Sequence, residues 1–372
     1  MKKVCIVTAA RSEYGLLRWI IDGVYRDPEL ELQLVVTGAH LCEEQGNTVR
    51  FIEEDGYPIA ARVDMHLTAN DTKADIIRSM GYASQGMSAV LDELKPDIML
   101  VLGDRYELIP IVGAALVYGV PVAHASGGDV TEGAIDDEIR NAVTMMSSLH
   151  FPGTEESADN IRRMRGKDEN IFMVGEFGLD SFLRYNLINR QELAEDIGLD
   201  PAKKWCLVTL HPETKISIEE NIGMAKNLFE AMRQTKGVQY VISKANADYG
   251  GAQINSCWEG AVKTDTSRFH LFASLGQRRY LSYMRQAAGV LGNSSSGIVE
   301  SPFLGIPVVN IGDRQKGRHQ CVNVIQCGRS FTEIKAAIDR ALTQPRIIDN
   351  YFGDGHSAEK VISHIKSYLN EK

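Results

Sequence analysis

No stretch of this 372-residue chain is long and apolar enough to span a bilayer. The longest apolar segment, Ile109–Ala123, is broken by Pro110, Gly119 and Pro121. Basic excess is also missing: 40 lysines and arginines face 49 acids, a formal net charge of −9. That balance argues against a nucleic-acid surface. The six cysteines (Cys5, Cys42, Cys206, Cys257, Cys321, Cys327) include no CxxC and no paired spacing. They read as reduced and structural, which points to the cytoplasm. There is no zinc-ligand spacing and no metal site is expected. The first strand runs into VTAARSEYG rather than GxGxxG, and GxxxxGK[ST] is absent. A nicotinamide dehydrogenase and a P-loop enzyme are therefore unsupported.

What remains is a folded globular composition, 44% apolar and 24% charged, long enough for two domains. The opening MKKVCIVTAA faintly resembles a secretion signal, but it flows into RSEYG without a processing site and reads as a buried strand.

Short β-branched runs alternate with helical patterns throughout. The first half predicts strands at Val4–Thr8, Leu32–Thr37, Ile98–Leu102, Val120–Ala123 and Ile171–Val174. Helices fall between them near 14–26, 44–54, 74–94, 108–118, 136–147 and 155–165. The second half predicts strands at Cys206–Thr209, Gln239–Ile242, His270–Phe272, Gly289–Leu291 and Val308–Ile311, with helices near 218–234, 278–285, 298–303 and 334–342. Continuous apolar strands alternating with helices signify parallel sheets covered on both faces. The expectation is α/β: two Rossmann-like doubly wound domains, 1–180 and 181–355, joined through a polar stretch near 175–201, with an amphipathic closing helix in 356–372. Ligands in such sheets sit beyond the carboxyl ends of strands, so a cleft between the domains is the expected site.

Polar clusters fall at those strand ends. LGNSSSGIVE places Asn293, Ser294 and Ser295 at a helix start, with Glu300 further along and Arg314 and Arg318 beyond the next strand. Backbone N–H groups and the helix dipole there suit a phosphate, although a serine N-cap beside a basic turn is the plain alternative. Arg11 follows the first strand and either reaches a phosphate or sits in solvent. GDRYE offers Asp104 and Arg105, either as a structural pair in which Asp104 stays ionised or as a carboxylate beside a phosphate-binding cation. HASGGD and TEGAIDDE bring Asp129, Glu132 and Asp136 close in sequence. Asp137 and Glu138 read as helix-start acids, whereas Asp136 and one of Asp129 or Glu132 could share proton transfer with Asp104. His211 of HPET faces the expected cleft, and Asn246 stands at the equivalent place after the next strand.

Taken together, TAARSEYG, VLGDRYE, HASGGD…TEGAIDDEIR, TLHPET and LGNSSSGIVE…GIPVVNIGDRQKGR resemble the UDP-N-acetylglucosamine 2-epimerases, specifically the hydrolysing branch serving sialic and legionaminic acid precursors. The resemblance spans nearly the whole chain. It implies the GT-B fold, no cofactor, a UDP-sugar as the only ligand, and a homodimer or homotetramer. It implies two steps: loss of the C2 proton with departure of UDP to give a 2-acetamidoglycal, then addition of water to release the 2-epimeric sugar. By matching position, Arg11, Arg105, His211 and Asn246 hold UDP, Ser294 and Ser295 bind phosphate, Glu300 takes the ribose hydroxyls, and Arg314 completes the pocket. Asp104 and Asp136 match acids assigned to the chemistry. Many members carry His-x-Glu-Gly-Gly; here Ser126 fills the glutamate slot. Asp129, Glu132 or His124 would then supply that proton transfer, or the substrate differs, UDP-2,4-diacetamido-trideoxyhexose in place of UDP-GlcNAc. Two other readings compete, a GT-B glycosyltransferase that needs an acceptor and a non-catalytic UDP-sugar-binding protein.

Overall fold

The computed structural model describes residues 1–68, 71–130, 135–213, 215–245 and 250–371. The chain divides into two units. Unit 1 comprises Met1–Ser181 with Gly353–Lys372, and unit 2 comprises Phe182–Phe352.

Unit 1 carries strands β1 (Lys2–Thr8), β2 (Leu30–Thr37), β3 (Ile59–Val63), β4 (Ile98–Leu102), β5 (Val122–Ala125) and β6 (Leu149–Phe151). They form one parallel sheet in the order β3-β2-β1-β4-β5-β6. The period-two alternation of a strand sends successive side chains to opposite faces. Val4, Ile6, Leu34, Leu100 and Phe151 pack with the helices Arg11–Arg26 and Ser357–Asn370. Cys5, Val7, Met99 and Val101 pack on the other face with the helices Lys73–Leu94 and Leu108–Tyr118. Because both faces are covered, β4 is apolar at every position and buried at every position.

Unit 2 repeats the plan with β7 (Lys204–Thr209), β8 (Val238–Ser243), β9 (Phe269–Phe272), β10 (Gly289–Gly292), β11 (Val308–Ile311) and β12 (Val324–Cys327), ordered β12-β11-β10-β7-β8-β9. Counted within each unit, the two strand orders are the same. In both, the order reverses beside the first strand, at the junction with the fourth, which is where doubly wound sheets bind ligands.

The structure departs from the sequence reading where strands are short or lie at a sheet margin. The stretch Ile171–Val174 is not a strand; Ile171 makes one isolated bridge to His150, and β6 takes the sheet edge instead. β5 begins at Val122 rather than Val120, because Pro121 has no N–H for the ladder and contributes only its carbonyl, to Met99. The helix expected from Glu44 begins at Val49, after Gly46 and Asn47 adopt left-handed backbone. The polar stretch 175–201 is not a bare linker; it folds as Asp180–Arg184 and Arg190–Ile197, the latter capped by Asn189. Among the described residues no helix is long and apolar enough to cross a membrane.

Candidate active site

In unit 1 the carboxyl ends of β1 and β4 and the start of the helix Asp136–Met146 enclose a pocket of about 380 Å³. Its lining includes Glu13, Asp104, Arg105, Tyr106 and Asp136. Asp104 and Asp136, 32 positions apart in sequence, thus meet at one cavity.

The partner of Asp104 is not Arg105, as the sequence suggested, but Arg140, whose buried guanidinium makes a close ion pair with Asp104 Oδ2. The same guanidinium donates to the Asp129 carbonyl at 2.8 Å and lies 3.5 Å from Asp137 Oδ1. Arg105 turns the other way: its Nη2 donates to the buried Glu107 Oε1 at 2.6 Å, and its Nε lies 3.8 Å from Glu13 Oε1. Adjacent residues on a turn point apart, so sequence neighbours made a poor guide to pairing here.

The loop after β5 is fixed tightly. His124 is fully buried, with Nε2 2.8 Å from the Gly103 carbonyl and Nδ1 3.1 Å from Thr144 Oγ1. The carbonyl can only accept, so Nε2 carries the proton and Nδ1 accepts from the threonine. Burial pushes this histidine down to about 4. It therefore holds the Gly103–Asp104 turn and has no nitrogen left to move a proton, which removes it from the expected proton carriers. Ser126 adopts φ +57°, a left-handed conformation costing a non-glycine residue about 1–2 kcal/mol. Gly128 is required by space, since a Cβ there would lie 2.1 Å from the Ser157 carbonyl. Asp129 directs Oδ1 to Ser157 Oγ at 2.5 Å, so this acid fastens the loop to the helix Glu155–Arg165 instead of lining the pocket. Arg11 lies exposed at the start of its helix with its guanidinium 4.4 Å from the Phe51 ring centroid. Glu132 lies outside the described residues.

In unit 2 the carboxyl ends of β7 and β10 are joined by one side chain. Asn293 accepts from the His211 N–H at 2.7 Å and donates to the His211 carbonyl at 2.9 Å. The Asn293 carbonyl in turn accepts from Arg314 Nη1 at 3.2 Å and Gln315 Nε2 at 2.9 Å. Gly292, at φ +129°, lets this crossing form; a Cβ would sit 1.9 Å from the Thr209 carbonyl. His211, Asn293 and Arg314 are thereby gathered at the helix Ser295–Phe303, whose N-cap Ser294 makes no side-chain capping bond. Ser295 is exposed in the first turn. Backbone N–H groups at such an uncapped helix start suit an anion. One turn deeper, burial pushes the Glu300 carboxyl up, opposed by a bond to Ser296, and its Oε2 has no hydrogen-bond partner. Asn246 lies outside the described residues.

Several contributors carried no recognised signal. Arg140 was legible only as the last letter of TEGAIDDEIR. Tyr280 has a buried hydroxyl beside Glu300 and among the hydroxyls of Thr209, Ser294 and Ser296, and burial pushes it up to about 12. Glu213 accepts from the Asp313 N–H at 3.0 Å and from Arg329 Nη2 at 2.5 Å, fixing the turn that carries Arg314.

The fold and these two residue groups fit a two-domain α/β enzyme of the nucleotide-sugar type, with a helix start lacking a side-chain cap in one unit and clustered carboxyl groups in the other. The chain belongs to the UDP-N-acetylglucosamine 2-epimerase family, whose model matches residues 23–366. It is 36% identical over 324 residues to the GDP/UDP-N,N'-diacetylbacillosamine 2-epimerase (hydrolyzing) of Campylobacter jejuni, covering 87% of this chain and 84% of that protein. It is 31% identical over 371 residues to the UDP-N,N'-diacetylbacillosamine 2-epimerase (hydrolyzing) of Legionella pneumophila, covering 99% and 96%. The structure of UDP-GlcNAc 2-epimerase from Methanocaldococcus jannaschii superposes with a TM-score of 0.79 at 19% identity, covering 98% of this chain and 99% of that one. That likeness establishes the GT-B fold.

Proposed function

We propose that this protein is a hydrolysing UDP-sugar 2-epimerase acting on a UDP-2,4-diacetamido-2,4,6-trideoxyhexose in preference to UDP-GlcNAc. The observation that carries the reading is the pocket that Asp104 and Asp136 share, since removing a proton from C2 and adding water across C1=C2 needs groups that accept and donate protons. The helix end at Ser294 and Ser295, with His211 and Arg314, receives the diphosphate. Glu300, with a buried Oε2 lacking a hydrogen-bond partner, and the Tyr280 hydroxyl beside it suit the ribose hydroxyls. The substrate preference rests on the diacetylbacillosamine relatives and on Ser126, which stands where the His-x-Glu-Gly-Gly pattern has a longer, charged side chain. Asp104 takes the C2 proton as the C1–O bond to UDP breaks, giving the glycal; water then adds to release the free sugar.

Six unpaired cysteines suit a reducing compartment, and we place the enzyme in the cytoplasm. It self-associates as a dimer or tetramer. The helix Leu108–Tyr118 is apolar almost all round, yet Leu116 and Val117 are 53% and 90% exposed. A helix of that composition ordinarily has both sides covered.

The deciding assay supplies UDP-diacetylbacillosamine and UDP-GlcNAc in D₂O without any acceptor. The expected result is UDP release with deuterium at C2 of a 2-epimeric sugar, and loss of about 10²–10⁴-fold in kcat for Asp104→Asn and Asp136→Asn. A product without deuterium at C2, or turnover only with an acceptor, rejects the reading; the second outcome makes the protein a glycosyltransferase.

A further inference from the structure

Among the described residues three carboxyl groups line the unit 1 pocket, and the reading above uses only Asp104 and Asp136. The third, Glu13, is 6% exposed and held from one side only. Its Oε2 accepts from the Ala9 and Ala10 N–H groups at 2.7 and 3.1 Å, which satisfies the start of the helix Arg11–Arg26. Its Oε1 is buried with no hydrogen-bond partner. Among the described residues the cation beside it, Arg105 Nε at 3.8 Å, belongs to a guanidinium already committed to Glu107 at 2.6 Å.

Among the described residues, the charged and titratable groups around Glu13 are Arg105, Glu107 and Tyr106 from the turn after β4, His40 packed against Thr8–Ala10, and Asp104 and Asp136 across the pocket. Two buried carboxyls, Glu13 and Glu107, flank a single arginine. Such an arrangement favours one of them neutral. Burial, reinforced by Glu107 and opposed by the backbone bonds and Arg105, pushes Glu13 up to about 7. A carboxyl in that range holds a proton at neutral pH and can still give it away, as a general acid must. Of the other described candidates, Asp129 is bonded to Ser157 and His124 is engaged at both nitrogens, while Asp104, ion-paired with Arg140, and Asp136 serve as the proton acceptors.

We propose that Glu13 is a catalytic acid of this site, the donor of the proton that C2 gains in the second step. This rests on the 2-epimerase reading. The C1=C2 π pair of the glycal takes the proton from Glu13 Oε1 and becomes the new C2–H bond. A water oxygen bonds to C1 and passes one proton to the Asp136 carboxylate. Glu13, left as a carboxylate, regains a proton from solvent after the sugar and UDP depart, while Asp104 gives up the proton it took from C2 and Asp136 the one it took from water, both to solvent.

The test is Glu13→Gln, whose amide oxygen still accepts from Ala9 and Ala10 but which has no proton to give. With the wild-type substrate, kcat is expected to fall at least about 10²-fold while KM changes little. UDP is released in a burst, the unsaturated glycal accumulates and is seen by NMR, and the alkaline limb of the wild-type pH profile near 7 disappears. A variant with wild-type kcat overturns the proposal, as does one that is slower but keeps the same pH profile and builds up no glycal. Should the variant not fold, ¹³C-glutamate NMR of the wild-type enzyme decides: a Glu13 carboxyl titrating near 7 supports the proposal, and one titrating in the ordinary glutamate range overturns it. Wild-type protein that turns over neither UDP-sugar overturns the 2-epimerase reading and this inference with it, whereas an active wild type beside an unaffected Glu13→Gln overturns the inference alone.

Discussion

At the scale of single residues, Arg140 has the widest reach. One buried guanidinium binds Asp104, the carbonyl of Asp129 and the carboxylate of Asp137, so it sets the turn after β4 and the loop after β5 together. A lysine cannot replace it, having a point charge where a planar fork meets three acceptors. Arg140→Gln should lower kcat by about 10²-fold through a misplaced Asp104 while the KM for the UDP-sugar stays within threefold. Because a buried ion pair is broken, stability should fall by about 3 kcal/mol, the low end of the usual range since Asp104 is partly exposed. Steady-state kinetics and urea unfolding check both halves; a KM effect without a kcat effect would mean that Arg140 binds substrate directly. Asp104 and Asp136 were legible in the sequence because each follows a strand or opens a helix, where α/β proteins keep their chemistry. Arg140, Glu13 and Tyr280 were not, because their importance comes from which groups tertiary packing sets beside them. The sequence paired Asp104 with its neighbour, and the fold paired it 36 positions away.

At the scale of elements, β5 and β6 set two histidines side by side in register, His124 opposite His150. His150 is buried with neither ring nitrogen hydrogen-bonded, and burial pushes it down to about 3. His40, between Thr8 and Thr48, is likewise pushed down by burial to about 4. All three lie in unit 1 and fold as neutral rings. An unfolded histidine begins to take a proton near pH 6.5, whereas these must first be exposed. Their contribution to stability is therefore complete above about 6.5 and is lost progressively as pH falls towards their depressed folded values. Hydrogen exchange followed by mass spectrometry, corrected for intrinsic rates, should show peptides of β5 and β6 losing protection between pH 6.5 and 4 more steeply than those of β7 and β8. His150→Leu should flatten that dependence and raise stability at pH 5, because its nitrogens satisfy nothing. The same element scale shows what patterning could not reveal. β3 (IAARV) carries an arginine, β6 (LHF) has three residues and β12 (VIQC) carries a glutamine; their strand character comes from the neighbour they pair with. The long central strands needed no such help.

At the scale of the whole molecule, self-association should depend on the exposed apolar face of the helix Leu108–Tyr118. Val117→Glu places a charge at its most exposed position, and nothing in the unit 1 core rests on that side chain. The expected outcome by light scattering after gel filtration is a monomer with an unchanged circular dichroism spectrum. A variant that keeps the wild-type mass would move the interface elsewhere.

The helix Ser357–Asn370 gives the molecule an order of assembly. Ala358, Val361, Ile365 and Leu369 complete the core around β1, and their burial is worth on the order of 5–9 kcal/mol, an upper estimate. They are synthesised after all of unit 2. The amino-terminal unit, though translated first, must therefore wait on the ribosome with an uncovered sheet face while the carboxyl-terminal unit finishes folding. A chain stopped at residue 352 would emerge with the later unit intact and the earlier one unsealed.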